Sequence, residues 1–278
     1  TFELIENQLE ISALKFQADF STLPVGDFPV TEIQEFEREV ALPGKELSDL
    51  IEKTSFAMAS QDVRYYLNGI LLEVSPSQIN VVATDGHRLA WSSCKIKTDF
   101  TDEKIIIPRK SALELQKLLN LYPENVNIAF NSNQLKVFSD EYTFISKLIE
   151  GSYPDYEKVF PKGTEQKLKA NKSLVQTALN RAAVLSNEKY RGVKFILEKD
   201  NLKICANNPS KESAEEEVLV EYSGDSFEIG FNISYVQESL SVISNNEVEF
   251  VFFGSENSCL VKNIDDESLI HVIMPMRL

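Results

Sequence analysis

The residues of this chain with the most chemical potential are Asp85 and His87, which flank Gly86 in the run Ala83-Thr84-Asp85-Gly86-His87-Arg88-Leu89-Ala90. Histidine titrates near neutrality and a carboxylate can orient its ring, so such a pair could do general acid–base work. No nucleophile or metal-ligand set accompanies it. Cys94, Cys205 and Cys259 are far apart, odd in number and unaccompanied by histidine, which suggests neither a disulfide framework nor a zinc site. No catalytic residue, metal or cofactor is therefore expected. The same stretch also reads as a tight turn, since Gly86 accepts the positive φ that other residues resist. Such a turn aims an aromatic donor, a guanidinium and an apolar branch at one wall of a groove. The opposite wall is expected from the C-terminus, His271-Val272-Ile273-Met274-Pro275-Met276-Arg277-Leu278, because flexible thioether chains suit a surface that accepts several partners. A surface histidine in a turn is the alternative for His87. A buried core strand is the alternative for Met274-Pro275-Met276, although Pro275 interrupts strand pairing.

These segments need a scaffold, and 278 residues suit two domains or somewhat more. Hydrophobic residues at 43% and charged residues at 26% fit a soluble globular protein. A formal charge of −15 counts against nucleic acid if it is evenly spread, because phosphate binding draws on Lys and Arg. The N-terminus Thr1-Phe2-Glu3-Leu4-Ile5-Glu6 lacks a basic region, and no window approaches the ~18 apolar residues of a membrane span. Together with the unpaired cysteines this predicts a cytoplasmic protein with no membrane association.

Periodicity predicts strands at Gln8–Ala13 and Leu14–Thr22, then a helix over Pro43–Ala59 in which Leu47, Leu50, Ile51 and Phe56 fall near helical spacing. Strands are expected at Val63–Val74, Gln78–Thr84 and Lys104–Ile107, a helix at Pro108–Asn120, and strands at Val126–Phe130, Gln134–Phe138 and Tyr142–Ile149. The order then returns: helix Lys172–Ser186, strands Gly192–Leu197, Leu202–Ala206 and Phe227–Gly230, helix Asn232–Ser244, and strands Val248–Phe253, Cys259–Asn263 and Ser268–Met274. Gly69 matches Gly192, Ala83 matches Ala206 and Pro108 matches Phe231, each at a separation of 123. A fixed period of about 123 residues marks a tandem repeat, each unit holding two helices and mostly antiparallel strands. Residues 1–40 correspond to the end of a unit whose beginning is absent, so a three-domain protein lacking most of its first domain is expected.

The motifs Q-D-V-R-Y-Y-L-N-G (Gln61–Gly69), A-T-D-G-H-R-L-A (Ala83–Ala90), S-N-E-K-Y-R-G-V (Ser186–Val193) and the ending M-P-M-R-L resemble those of the bacterial DNA polymerase III β subunits, the replicative sliding clamps. The resemblance covers the whole chain. It implies an α+β fold of tandem clamp domains, each with two helices packed on mostly antiparallel sheets. Residues 1–39 are the end of the first domain, 40–155 the second and 156–278 the third. In that family two subunits join head to tail into a ring whose helices line the hole, and the protein performs no catalysis. The implied function is to encircle duplex DNA, without regard to its sequence, and to hold the replicative polymerase, the clamp loader and repair proteins through short Gln/Leu/Phe motifs. A peptide-binding scaffold that does not encircle DNA is the alternative.

Carried over by position, the resemblance places the peptide groove at Leu67, Thr84, Gly86, His87, Arg88, Leu89, Pro154, Lys158, Val159, Asn232, Tyr235, Ser258, Val272, Ile273, Met274, Pro275, Met276 and Arg277. Leu89, Val159, Ile273 and Met274 are expected as its apolar anchors. Lys158 departs from the arginine often found there and loses the planar fork. Gln61, Arg64, Tyr65, Tyr66, Arg109 and Lys110 are the implied DNA contacts, with Tyr65 and Tyr66 on a strand and so on opposite faces. Val184 and Leu185 match subunit-interface positions. The four helices carry a net charge of +2, which leaves −17 elsewhere, so an acidic body with a mildly basic lining is expected. The incomplete first domain predicts a monomeric or weakly associated chain.

Overall fold

The computed structural model describes residues 1–278 apart from Thr31, Glu37, Asp99, Phe100 and Asp265. The chain divides into two compact units, Thr1–Glu35 and Phe36–Leu278. The small unit is an antiparallel meander of β1 (Phe2–Ile5), β2 (Gln8–Ala13) and β3 (Phe16–Ser21). The predicted strand Leu14–Thr22 begins later because Leu14, at φ 55°, forms the turn, and β1 was not foreseen. Phe2, Leu4, Phe16 and Phe20 are exposed, and none of the described residues of this unit is buried.

The large unit is built from two repeats. The first runs β4 (Glu39–Pro43), α1 (Gly44–Ser55), β5 (Gly69–Val74), β6 (Gln78–Thr84), β7 (Arg88–Lys95), β8 (Glu103–Pro108), α2 (Arg109–Leu121), β9 (Asn125–Phe130), β10 (Gln134–Phe138) and β11 (Thr143–Lys147). The second runs β12 (Gln166–Asn171), α3 (Lys172–Val184), β13 (Gly192–Glu198), β14 (Asn201–Asn207), β15 (Ser213–Leu219), β16 (Glu221–Tyr222), β17 (Phe227–Asn232), α4 (Ile233–Ser241), β18 (Glu247–Phe252), β19 (Cys259–Asn263) and β20 (Leu269–Ile273). Apart from the short β16 the elements correspond one for one. Each helix follows a strand directly. Pro43 and Pro108 hold the extended backbone before α1 and α2, whereas the side chains of Asn171 and Asn232 accept the N–H groups of Leu174 and Ser234 to cap α3 and α4. The last two helices end before their predicted limits, at Val184 and Ser241.

The predicted strand Val63–Val74 is half turn. Asn68 accepts the Asp62 N–H at 2.9 Å and returns its own amide to the Asp62 carbonyl at 2.8 Å, closing a loop in which Tyr65–Leu67 form a short 3₁₀ turn. Tyr65 and Tyr66 therefore do not alternate across a strand. Their ring centroids lie 5.8 Å apart.

Two four-stranded sheets, ordered β11-β10-β9-β4 and β15-β14-β13-β17, stand beside a nine-stranded sheet ordered β16-β12-β18-β19-β20-β7-β6-β5-β8. The β20–β7 pairing joins the repeats within that sheet. A row of directly paired residues, Ala83, Ala90, His271, Val261, Phe250 and Leu168, crosses it on one face. Ala83 and Ala90 pack into the core that includes Leu50 and Ile51 of α1 and Leu115 of α2. Val261, Phe250 and Leu168 pack into the core that includes Leu179 of α3 and Val236 of α4. Both helix pairs thus lie on the same face of the sheet. The other face carries Leu71, Val82, Leu89, Ile106 and Val272, covered by Tyr156 of the connection between repeats.

His271 occupies the middle of that row, fully buried, with Phe56 edge-on at 5.1 Å. Its Nε2 lies 3.1 Å from the Lys53 carbonyl, so Nε2 carries the proton and donates, while Nδ1 has no partner among the described residues. Burial, opposed only in part by that hydrogen bond, pushes the imidazole down to about 4. The unfolded chain, titrating near 6.5, binds the extra proton first, so this group stabilises the fold above pH 6.5 and the contribution is lost as pH falls towards 4, on the order of 3 kcal/mol in all. Urea denaturation at pH 7.5, 5.5 and 4 is expected to show this loss in the parent chain and a flatter profile in His271→Phe. Parallel profiles would show that His271 does not titrate with unfolding.

Candidate functional site: the junction of the two repeats

The loop between β6 and β7 is held by its own side chains. Asp85 Oδ1 accepts the backbone N–H groups of His87 and Arg88 at 2.9 and 3.1 Å, and Oδ2 accepts Arg88 Nε at 3.1 Å. Thr84 Oγ1 donates to the Arg88 carbonyl at 2.5 Å and accepts the Gly86 N–H at 3.1 Å. Gly86 has φ 90°, and the Arg64 guanidinium lies 3.1 Å from where a Cβ would stand. Asp85 is thereby engaged as a turn cap and by Arg88, while the His87 ring projects into solvent, an arrangement unlike an acid–base pair. Nor is any thiol set up as a nucleophile: burial pushes Cys94 up to about 11 and Cys259 well above the usual thiol range, and desolvation together with Glu215 raises Cys205.

The hairpin and the C-terminus are not opposite walls. β20 pairs with β7, Val272 opposite Leu89 and Ile273 opposite Arg88, and the Met274 N–H continues the ladder to the His87 carbonyl at 3.0 Å. Pairing stops at Pro275, which has no N–H to donate. Side-chain alternation then sorts the predicted residues. Leu89 and Val272 turn to the sheet face away from the helices, Ile273 turns towards the helices, and Leu67 is also buried. These side chains are core, so Leu89 and Ile273, each 1% exposed, are not free anchors. Val159, Tyr235, Asn232, Ser258, Met274, Pro275 and Met276 are half-buried, whereas His87, Pro154, Lys158 and Arg277 are exposed.

The connection bearing Pro154, Lys158 and Val159 is fixed by Tyr156, whose hydroxyl donates to Glu73 Oε2 at 2.6 Å. Val159, Tyr153 and Phe160 pack on the apolar face that contains Leu89 and Val272. Lys158 pairs with Asp155 at 2.9 Å, and both are exposed. Asn232 uses its side-chain oxygen to cap α4 by accepting the Ser234 N–H at 2.9 Å.

Arg88 departs furthest from its predicted role. Its guanidinium bonds Asp85, Glu238 of α4 and, at 2.7 Å, the carbonyl of Phe56 beyond α1. The charged group also lies 4.4 Å from the Tyr235 ring centroid and 5.2 Å from that of Phe56. Every nitrogen is engaged, so Arg88 ties the first repeat to the second and sets Tyr235 in place, rather than presenting a free fork to a ligand. Phe56 and Glu238 were not foreseen because a single helical carboxylate or aromatic gives no sign of a partner 150 residues away.

Two concavities border the C-terminal segment. One, about 500 Å³, is lined by Glu228, Gly230, Glu256 and Pro275 to Leu278. The other, about 560 Å³, is lined by Tyr190, Gly192, Ile196, Cys205 and Met276 to Leu278.

Of the predicted DNA contacts, Arg64 is bonded to both oxygens of Asp62, at 2.8 to 3.0 Å, and to the Asp85 carbonyl at 3.3 Å. Those hydrogen bonds hold the Asp62 carboxyl down at about 2. Arg64 therefore braces the β6–β7 hairpin. Tyr66 is half-buried against the apolar face, while Gln61 and Tyr65 are exposed. Arg109, half-buried, donates to the Met58 carbonyl at 3.1 Å and so links the start of α2 to the turn that follows α1, whereas Lys110 beside it is exposed. Val184 is exposed at the end of α3, and Leu185 is half-buried. Among the described residues no group of three His, Cys, Asp or Glu could hold a metal, and no helix is long and apolar enough to cross a membrane.

Comparison with known proteins gives a consistent result. Residues 41–155 match the family described as DNA polymerase III beta subunit, central domain, and residues 157–277 match its C-terminal domain. The beta sliding clamp of Pseudomonas aeruginosa is 44% identical over 274 residues, which is 98% of this chain and 75% of that protein. The beta sliding clamp of Escherichia coli strain K12 is 42% identical over 258 residues, covering 93% and 70%. A solved DNA polymerase sliding clamp from Pseudomonas aeruginosa superposes with a TM-score of 0.95 at 43% identity, covering 100% of this chain and 76% of that one. Another structure, also with a TM-score of 0.95 at 43% identity and covering 100% and 75%, is of the Pseudomonas aeruginosa clamp bound to griselimycin. With the repeats, the shared fold and these identities in hand, the chain belongs to the DNA polymerase III β subunit family, the β sliding clamps.

Proposed function

We propose that this chain acts as a sliding clamp, encircling duplex DNA with its helical face and holding replication and repair proteins by short Gln/Leu/Phe peptides at the repeat junction, without catalysing a reaction. The observation that carries the reading is the two-sidedness of the nine-stranded sheet. All four helices lie on one face, and the apolar face with Val159 lies on the other. The helices hold seven basic and five acidic side chains in a chain of net charge −15. Weak, screened attraction to phosphate permits sliding, because such contacts carry no sequence information and re-form at each step. The protein is assigned to the cytoplasm, where the polymerase and clamp loader act. Head-to-tail dimerisation of full-length subunits is assigned to Val184, Leu185 and the edge of β15. In the repeat β15 stands where β7 stands, and among the described residues it lacks the neighbour that β20 gives to β7.

Three measurements test this reading. Deleting Met274–Leu278 is expected to remove binding of a labelled peptide containing Gln and Leu/Phe, and Val159→Ala to weaken it by about tenfold, from the lost burial of roughly 1.5 kcal/mol. Unchanged affinity in a folded deletion variant would defeat the groove assignment. DNA binding is expected to be weak and to fall with salt. Lys110→Ala should reduce the slope of log K against log salt by about 0.9 per lost phosphate contact, while leaving peptide affinity intact. A salt-independent, sequence-selective complex would refute the clamp reading. Light scattering at micromolar concentration is expected to show a monomer, because Thr1–Glu35 buries none of its described residues and offers no packed surface; a stable dimer would contradict this.

A further inference from the structure

Beyond Met274 the chain leaves its strand ladder, yet its final residue lies on a surface shaped to receive it. β13 and β17 are neighbours, with Lys194 opposite Gly230 and Gly192 opposite Asn232. Val193, Phe195 and Phe231 point to the helical core, so Gly192 and Gly230 stand on the other face. There the Met276 N–H donates to the Gly230 carbonyl at 2.9 Å. A Cβ on Gly192 would overlap Leu278 Cδ2, and one on Gly230 would stand 2.5 Å from the Met276 carbonyl oxygen and 2.8 Å from Leu278 Cγ. Neither glycine has the positive φ that would require it; both sit in ordinary strands, where glycine is a poor choice unless another segment must approach closely.

The first repeat contains the same device. Gly69, at the position matching Gly192, lies on β5 beside β8, and a Cβ there would overlap the Ile107 carbonyl and stand 3.1 Å from Ile149 Cδ1. The Ile149 N–H donates to the Ile106 carbonyl at 2.9 Å. In both repeats the segment after the last strand therefore passes a strand glycine with an aliphatic side chain over it, although at Gly69 the neighbouring strand's carbonyl is the nearer obstacle. In the first it continues as the connection carrying Pro154 and Val159; in the second it is the C-terminal tail.

We infer that Gly192 and Gly230 are positioning residues for the peptide groove: by seating Leu278 they fix Met274-Pro275-Met276 before a ligand arrives. The inference rests on the groove reading above. Without the seat, three or four tail residues would be ordered only on binding, and that cost would appear as lost affinity, roughly tenfold or more. Leu278 is 66% exposed, so its removal should leave the thermal midpoint unchanged.

The test compares peptide affinity, by fluorescence anisotropy with a labelled peptide containing Gln and Leu/Phe, and thermal midpoint in six proteins. These are the parent chain, Gly192→Ala, Gly230→Ala, Leu278→Met, a chain ending at Arg277, and Gly192→Ala in that shortened chain. Loss of affinity without loss of midpoint is expected for the shortened chain and Gly192→Ala, with a larger loss for Gly230→Ala, where the obstacle is backbone. Leu278→Met should retain affinity. In the shortened chain Gly192→Ala should have no further effect, because the side chain it displaces is gone. Unchanged affinity in both the shortened chain and Gly230→Ala would overturn the inference, provided deletion of Met274–Leu278 still removes binding. If that deletion too leaves binding intact, the groove reading itself fails. A lowered midpoint in Gly192→Ala with full affinity in the shortened chain would assign the glycine to folding and also overturn it.

Discussion

The pairing of β20 with β7 is the constraint on which the rest depends. Five residue pairs, Leu269–Ser92 through Ile273–Arg88, turn two separately cored repeats into one sheet and place both helix pairs on the same side of it. Backbone hydrogen bonding sets the register, and the alternation of side chains fixes what faces where. A slip by one residue would exchange Leu89 and Val272 with Arg88 and Ile273, putting a guanidinium on the apolar outer face and opening the contact with Glu238.

Arg88 and His271 show two ways of placing polar groups at such a seam. Arg88 is nearly buried but has an acceptor or an aromatic face on every side, drawn from the β6–β7 loop, the turn after α1, and α4 together. His271 lies two positions away with one acceptor and a neighbouring cation, and its neutral form is the stable one. The same seam thus holds a guanidinium with every nitrogen hydrogen-bonded and an imidazole whose burial favours the uncharged form.

Separation of the two faces also resolves the charge balance. An acidic chain can present a mildly basic helical surface only if its basic residues are sorted by face, and the repeat does this twice, through α1 with α2 and α3 with α4. The family's sliding function calls for attraction that is weak and uniform, and seven basic side chains diluted by five acidic ones on the helices meet that requirement better than a dense basic patch would.

The sequence by itself determined the repeat, the α+β class, the family and the four helices to within a few residues. Periodicity and motif spacing are local or translational properties that survive in one dimension. The hairpin at Asp85-Gly86-His87 was also legible, since its glycine and capping carboxylate act over three residues. Val63–Asn68 reads as the start of a strand but folds as a loop, because the Asp62–Asn68 amide pairing that bends it competes with local propensity. Only the tertiary structure decided that the hairpin and the C-terminus are adjacent strands, that Leu89 and Ile273 are core, that Arg64 and Arg109 brace backbone carbonyls, and that Arg88 reaches Glu238. Each of these depends on which distant strand supplies the next hydrogen-bonding edge, and a free edge accepts many sequences; the choice is made by burial of both sheet faces at once, which no stretch of the chain specifies alone.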